Sequence, residues 1–330
     1  MNLRNITYNF LFGFLFIILF LVSGFRVGSG TDYDSYVSIY QSFADGGRYW
    51  KVLEPGFESL LLGLNYLSSN PRIFFIFSSF VTLTFIFKGI YYNSRGCIIS
   101  VVVFFAMYFY FFSFNLIRQF IAISFFFGFC IPALKNREPI KYFVFVVAAS
   151  FFHLSAIFMI PFYIILSRTY GVIGYIAWVA FFFVGFVLYP YLMDFMFSVA
   201  GAYRSYSDYS SGSSNLFIFS CLSLIVPILP YFKKFINIDG FNIILFNGVF
   251  FSILIAAFSY HNILFFRLSM YLSVFSILLV PAIGCSFGNF YGRCIYFSFV
   301  FLILFSAFYY YLKSNMAGVL PYSFDFMYIF

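Results

Sequence analysis

The chain has 330 residues, 64% hydrophobic and 27% aromatic, with 8% charged and a formal net charge of +8. So few charges cannot cover a water-soluble surface, and the length leaves no room for a soluble domain beside the apolar one. A soluble enzyme is excluded, and no nucleic-acid partner is expected.

Runs without Asp, Glu, Lys or Arg recur at 5–25, 96–117, 142–167, 169–193, 209–232, 240–266 and 268–292. A bilayer core ~30 Å thick needs about 20 apolar residues to cross it as a helix. The sequence therefore predicts an all-α, polytopic membrane helix bundle, a single transmembrane domain over 1–330. About ten or eleven spans are expected, with an outer interfacial helix besides.

The first run follows Arg4 and is longer than a signal-peptide core. Val22-Ser23-Gly24 is a poor cleavage site, so an uncleaved first helix over 7–25 is expected. An outer loop and interfacial helix follow over 26–72. Its start, Arg26-Val-Gly28-Ser-Gly30-Thr31-Asp32-Tyr33-Asp34-Ser-Tyr36, lacks the spacing and Lys of a phosphate-binding loop. Asp32 and Asp34 form an alternate pair that suits a divalent metal, a general base or simply a solvated turn. The segment 54–69 opens Glu54-Pro55-Gly56 and carries Glu58 and Asn65, so it is expected to lie in the interface rather than cross.

Further spans are expected at 73–92, 97–114, 117–134, 139–152, 154–168, 170–190, 216–232, 241–260, 264–284 and 294–312. The 139–168 stretch must cross twice, breaking near His153 into two short halves. This arrangement follows from putting the basic clusters Lys135/Arg137/Lys141 and Lys233-Lys234 on the cytoplasmic side. Ten basic and two acidic residues then lie inside and eight of each outside, so the whole +8 falls on the cytoplasmic face. Both histidines and most isolated charges fall at the outer end, beside a second outer loop over 191–215. That loop is rich in Gly and Ser and offers Tyr203, Tyr206 and Tyr209 as stacking faces for sugar. The five cysteines read as small packing residues.

Arg118, after Asn115 and before Gln119, stands at an outer helix start, where it either snorkels to headgroups or meets an anion. Arg267 repeats the pattern six residues after His261. Two such guanidinium groups suit a pyrophosphate, which they bind in bidentate fashion. His153, in Ser150-Phe-Phe-His153-Leu-Ser155-Ala, is either a buried packing residue or a proton-transfer group.

Taken in order, Arg26…Gly30-Thr-Asp32-Tyr33…Tyr36, Glu54-Pro55-Gly56-Phe57, Asn115…Arg118-Gln119…Ala122, Phe152-His153…Ser155-Ala156, Arg267…Tyr271 and Pro321-Tyr322 resemble the EpsG family over about residues 20–325. That family includes O-antigen and exopolysaccharide polymerases of bacterial inner membranes. The resemblance implies that undecaprenyl-pyrophosphate-linked oligosaccharide repeat units are joined at the outer leaflet, with the site facing the periplasm or exterior. A sugar hydroxyl attacks the anomeric carbon and undecaprenyl pyrophosphate leaves. His153, Asp32 and Glu54 are then the candidates for the base, and Arg118, Arg267, Arg204 and Arg26 for the pyrophosphate. Tyr33, Tyr36, Gln119, Tyr206, Tyr209 and His261 are the candidate sugar contacts. An arginine-based site needs no metal, so no metal or cofactor is expected. Membrane lipid, a flippase and a chain-length regulator of the same pathway are the implied partners. Two other classes compete: a multi-span glycosyltransferase using a polyprenyl-phosphate sugar, and a flippase for the same lipid.

Overall fold

The structure is a computed structural model that describes residues 3–44, 53–200 and 214–325. Among these the chain is a multi-pass, all-α membrane helix bundle with one two-stranded ladder. Five helices are long and apolar enough to cross a membrane: Arg72–Asn93, Ile117–Lys135, Val172–Tyr191, Gly240–Tyr260 and Phe290–Lys313. Three bent pairs bring the number to 8 if each pair is one span. The chain divides into two compact units, Met1–Ile160 with Phe308–Phe330, and Pro161–Ala307.

In the first unit, α1 (Leu3–Gly24), α4 (Arg72–Asn93) and α7 (Ile117–Phe125) pack with α9 (Pro139–Ser150). A π-helical turn at Phe126–Cys130 joins α7 to α8 (Ile131–Lys135). A Cβ on Gly128 would lie 2.9 Å from Phe85 O, and one on Gly89 2.5 Å from the Phe127 ring. These two glycines let α4 and the π turn approach backbone to backbone, the small-residue packing that holds helices together in lipid. Two short helices, α2 (Tyr33–Ala44) and α3 (Pro55–Leu67), lie between α1 and α4 in the chain. At ~1.5 Å per residue neither is long enough to cross upright. Tyr33, Tyr36 and Tyr40 of α2 and Phe57, Leu61 and Leu64 of α3 recur at helical spacing, and they share one core with Phe74, Phe75, Ile117 and Ile121.

Several expected spans depart from simple helices, 216–232 among them, where α12 (Ser214–Ile225) gives way to a 3-10 segment at Val226–Tyr231. The 97–114 span is α5 (Cys97–Ala106) and α6 (Phe109–Asn115), bent by 54°. The bend falls at Tyr108, which takes a left-handed φ of 65° and is fully buried against Phe111, Phe112 and Tyr311. The 139–168 stretch breaks at Phe151–His153 as expected, but no single continuous helix forms over 154–168. A 3-10 turn at Leu154–Met159 is followed by α10 (Phe162–Ser167), because Pro161 has no N–H to continue a helix through that point.

The second unit holds α10, α11 (Val172–Ala200), α12 (Ser214–Ile225), α13 (Phe232–Ile238), α14 (Gly240–Ala257), α15 (Ile263–Ser273), α16 (Ser276–Ser286) and the first part of α17 (Phe290–Lys313). The expected 264–284 span is α15 and α16, bent by 46°. Asn247 of α14 ties the start of the unit down, donating to Leu166 O at 2.9 Å and Arg168 O at 2.8 Å.

Within the first unit, the segment after α17 returns to the loop after α1. Arg26–Val27 pairs antiparallel with Ser323–Phe324, Gly30 N donates to Gly318 O at 2.8 Å, and Arg72 meets Asp325 at 3.0 Å. This clasp fixes where α2 begins.

Candidate functional site

Three elements of the first unit converge on Glu54. Residue 54 is the cap position of α3, and Pro55 sets the first helical turn. The carboxylate makes no cap bond to its own helix. Its Oε2 accepts from Arg118 Nη1 at 2.7 Å, and its Oε1 meets His153 Nδ1 at 2.9 Å. Gly56 N donates to Phe151 O at 2.9 Å, which locks the 54–56 backbone to the break that carries His153. A Cβ on Gly56 would lie 2.8 Å from that same oxygen, so only glycine allows the approach. Arg118 comes from the first turn of α7, and its guanidinium lies 5.6 Å from the Phe57 ring centroid. It also hydrogen-bonds the buried Tyr36 hydroxyl.

Burial by itself raises the Glu54 pKa, but the His153 hydrogen bond and the Arg118 charge outweigh it and hold the carboxyl at about 2. Glu54 is thus ionised and can only accept hydrogen bonds. Nδ1 of His153 must therefore carry a proton in this bond, and in the neutral imidazole the lone pair is then on Nε2. Nε2 has no hydrogen-bond partner among the described residues. The Arg118, Glu54 and His153 side chains are 31%, 15% and 22% exposed, enough for a ligand to reach the cluster. Burial pushes the Tyr36 phenol up, against the opposing Arg118 charge, so it stays a neutral partner. Chemically the cluster offers an oriented imidazole base beside a guanidinium with N–H groups to spare.

The structure thus brings together four of the residues expected from sequence: Tyr36, Glu54, Arg118 and His153. Asp32 is near enough for its charge to act on Tyr36. It immediately precedes α2, where its carbonyl accepts from Tyr36 N, while Asp34 lies exposed in the first turn. Among the described residues no three His, Cys, Asp or Glu side chains gather as metal ligands.

Other candidates sit differently. Arg26 is 2% exposed and does not face a ligand. Its guanidinium donates to Ser23 O, to Ser79 Oγ at 3.3 Å and to Phe114 O at 3.3 Å, between the Phe75 and Phe114 rings. Burial pulls its pKa down to about 10, so it remains charged at neutral pH. Tyr33 is buried, with its ring stacked 4.3 Å from Phe75, and Gln119 is buried in α7. Neither offers an open face to a sugar. In the second unit, His261 Nε2 bonds Phe186 O at 3.0 Å and its ring stacks on Tyr189. Arg267 is exposed in the second turn of α15. Arg204, Tyr206 and Tyr209 lie outside the described residues.

Asn115 and Gly30 entered the sequence reading only as motif positions. Asn115 Nδ2 donates to Ala317 O at 2.9 Å, and a Cβ on Gly30 would meet Asn115 Oδ1 at 2.7 Å. Gly30 has φ +114°, which also favours glycine. Their spacing from Asp32 and Arg118 was the available signal. The Ala317 partner, some two hundred residues away, was not readable.

The sequence model of the EpsG family matches residues 9–324, nearly the whole chain. No curated protein and no solved structure matches. The chain belongs to the EpsG family, and that membership implies a membrane polymerase-like function in polysaccharide synthesis.

Proposed function

From that membership we propose that the protein is a metal-independent glycosyltransferase. It would join undecaprenyl-pyrophosphate-linked oligosaccharide repeat units at the outer leaflet of the bacterial inner membrane, for O-antigen or exopolysaccharide. The observation that carries this reading is Glu54 bridging Arg118 and His153. His153 Nε2 takes the proton of a hydroxyl on the acceptor unit. The hydroxyl oxygen forms the new bond to the donor's anomeric carbon, and the bond from that carbon to the pyrophosphate oxygen breaks. Undecaprenyl pyrophosphate leaves with the electron pair, its growing charge met by Arg118. Ionised Glu54 steadies the imidazolium until its proton passes to water. A flippase supplying the lipid-linked unit and a chain-length regulator are the partners this reaction requires.

The test is purified protein in lipid with a lipid-linked repeat unit. A ladder of products that Arg118→Ala abolishes supports the proposal. Addition of a single sugar would move the assignment to a polyprenyl-phosphate sugar transferase, the reading that Asp32 beside Tyr36 favours. Transbilayer movement of the lipid with no new glycosidic bond would make the protein a flippase.

A further inference from the structure

The second unit contains a groove with a cavity volume of about 1050 Å³. This is at the upper end of the range of about 300–1,000 Å³ that small-molecule sites span. Ile176 and Val179 of α11, Leu222 and Leu229 on and after α12, and Phe246 and Phe250 of α14 form its walls. The two wall tyrosines have their hydroxyls engaged. Tyr175 donates to Asn247 Oδ1 at 2.8 Å and Tyr170 to Ile165 O at 3.0 Å. The wall is therefore apolar apart from Thr169, Lys233 and Lys234.

The two lysines owe their position to an elbow. Pro227 stands where α12 gives way to a 3-10 segment, and α13 leaves at 91° to it. Lys233 and Lys234 are exposed and have no hydrogen-bond or ion-pair partner among the described residues. Lys234 also lines a second cavity of about 290 Å³ with Ser286 and Asn289, where Arg293 donates to Phe287 O. The acid nearest in sequence, Asp239, has its carboxylate engaged by Phe241 N at 2.9 Å. An apolar channel thus ends at uncompensated positive charge beside a polar recess.

We propose that this groove holds one anionic phospholipid. An acyl chain lies along α11 and α14, and the headgroup phosphate rests on Lys233 and Lys234. In a membrane protein lipid is the solvent at such a groove, so the charge pattern selects the occupant. Phosphate against two lysines complements it, and a zwitterionic headgroup would bring its own cation to the same place. The positive-inside rule assigns this pair to the cytoplasmic leaflet, where anionic lipids are concentrated. The site is separate from the proposed reaction, and it stands or falls without it.

Full-length protein in detergent is titrated with phosphatidylglycerol and with phosphatidylcholine of the same acyl chains, and retained lipid is counted by native mass spectrometry. One phosphatidylglycerol per chain is expected to bind tightly. At about fivefold per charge, Lys233→Gln with Lys234→Gln weakens it about twenty-fivefold. Ile176→Trp, which fills the groove and keeps both lysines, displaces the lipid too. Lys313→Gln in the other unit leaves it in place. Equal retention of the two lipids, or an adduct indifferent to both the double variant and Ile176→Trp, overturns the proposal. So does one-for-one displacement of phosphatidylglycerol by undecaprenyl phosphate, which would make the groove a carrier-lipid site. Gel-filtration profiles like the wild type confirm that a lost adduct is not a lost fold.

Discussion

Glu54→Gln is the most informative single change, because it keeps shape and removes only charge and acceptor symmetry. In the wild type both carboxylate oxygens accept, one from Arg118 at 2.7 Å and one from His153 at 2.9 Å. Glutamine has one accepting oxygen and one donating NH₂. A guanidinium cannot accept, so the amide oxygen must turn to Arg118 and the NH₂ to His153. Nδ1 then becomes the acceptor and the proton moves to Nε2, which can no longer take a proton from a substrate hydroxyl. The expected result is a fall in turnover of about 10²–10⁴, the contribution of a positioned base. Expression and substrate retention should change little, because Gly56 N–Phe151 O and Arg118 survive. The assay is initial rate of ladder formation, run on Glu54→Gln, His153→Ala and the double variant. If Glu54 acts through His153, the double variant should be no slower than His153→Ala alone. A full rate in Glu54→Gln, or losses that multiply in the double variant, would refute the orienting role.

Arg118→Lys should recover little of the activity lost in Arg118→Ala, since one ammonium cannot serve Glu54, Tyr36 and a diphosphate with the geometry of a fork; the same ladder assay reads it. Gly56→Ala should lower thermal stability in detergent by about 1–3 kcal/mol, because its Cβ drives α3 off Phe151. Its rate should fall further than its stability accounts for. Glu54 is held down at about 2 from the ordinary 4.5, so its contribution to stability is complete above pH 4.5 and is lost as pH falls through about 2. A melting series should show that acid loss in the wild type and a smaller one in Glu54→Gln. Chelators should leave the rate unchanged, while Mg²⁺-restored activity would turn attention to Asp32 and Asp34.

The bundle was legible because charge-free runs of spanning length have few interpretations. The expectation that 54–69 does not cross rested on Glu58 and Asn65, which are costly in lipid, and the helix found there is too short to span upright. The bends were less legible. Tyr108 sits in a continuous apolar run, and nothing local announces its left-handed backbone. Of the site, scarcity pointed to Arg118, His153 and Glu54, but it could not say which charges were already satisfied. Arg26 shows the difficulty. It is as isolated in sequence as Arg118, yet it is spent on carbonyls and two phenyl rings. Whether an arginine serves a ligand or the fold is decided by long-range partners such as Ser79 and Phe114, which carry no sequence signal.

Glu54 also resolves a conflict in the earlier alternatives. As a base it would need a pKa near neutrality, but the Arg118 charge and the His153 hydrogen bond drive it the other way. A carboxylate so strongly ionised is a poor proton acceptor and a good counter-ion. If His153 is the base, as proposed, the positive charge it takes up forms 2.9 Å from the Glu54 carboxylate. In the proposed reaction, negative charge meanwhile builds on the departing diphosphate beside Arg118. That reaction adds one positive charge on His153 and one further negative charge on a diphosphate that is already anionic, and each forms beside a group of opposite sign. For the proposed reaction this arrangement favours the charges of the transition state over those of the ground state, which is the condition for raising turnover rather than affinity.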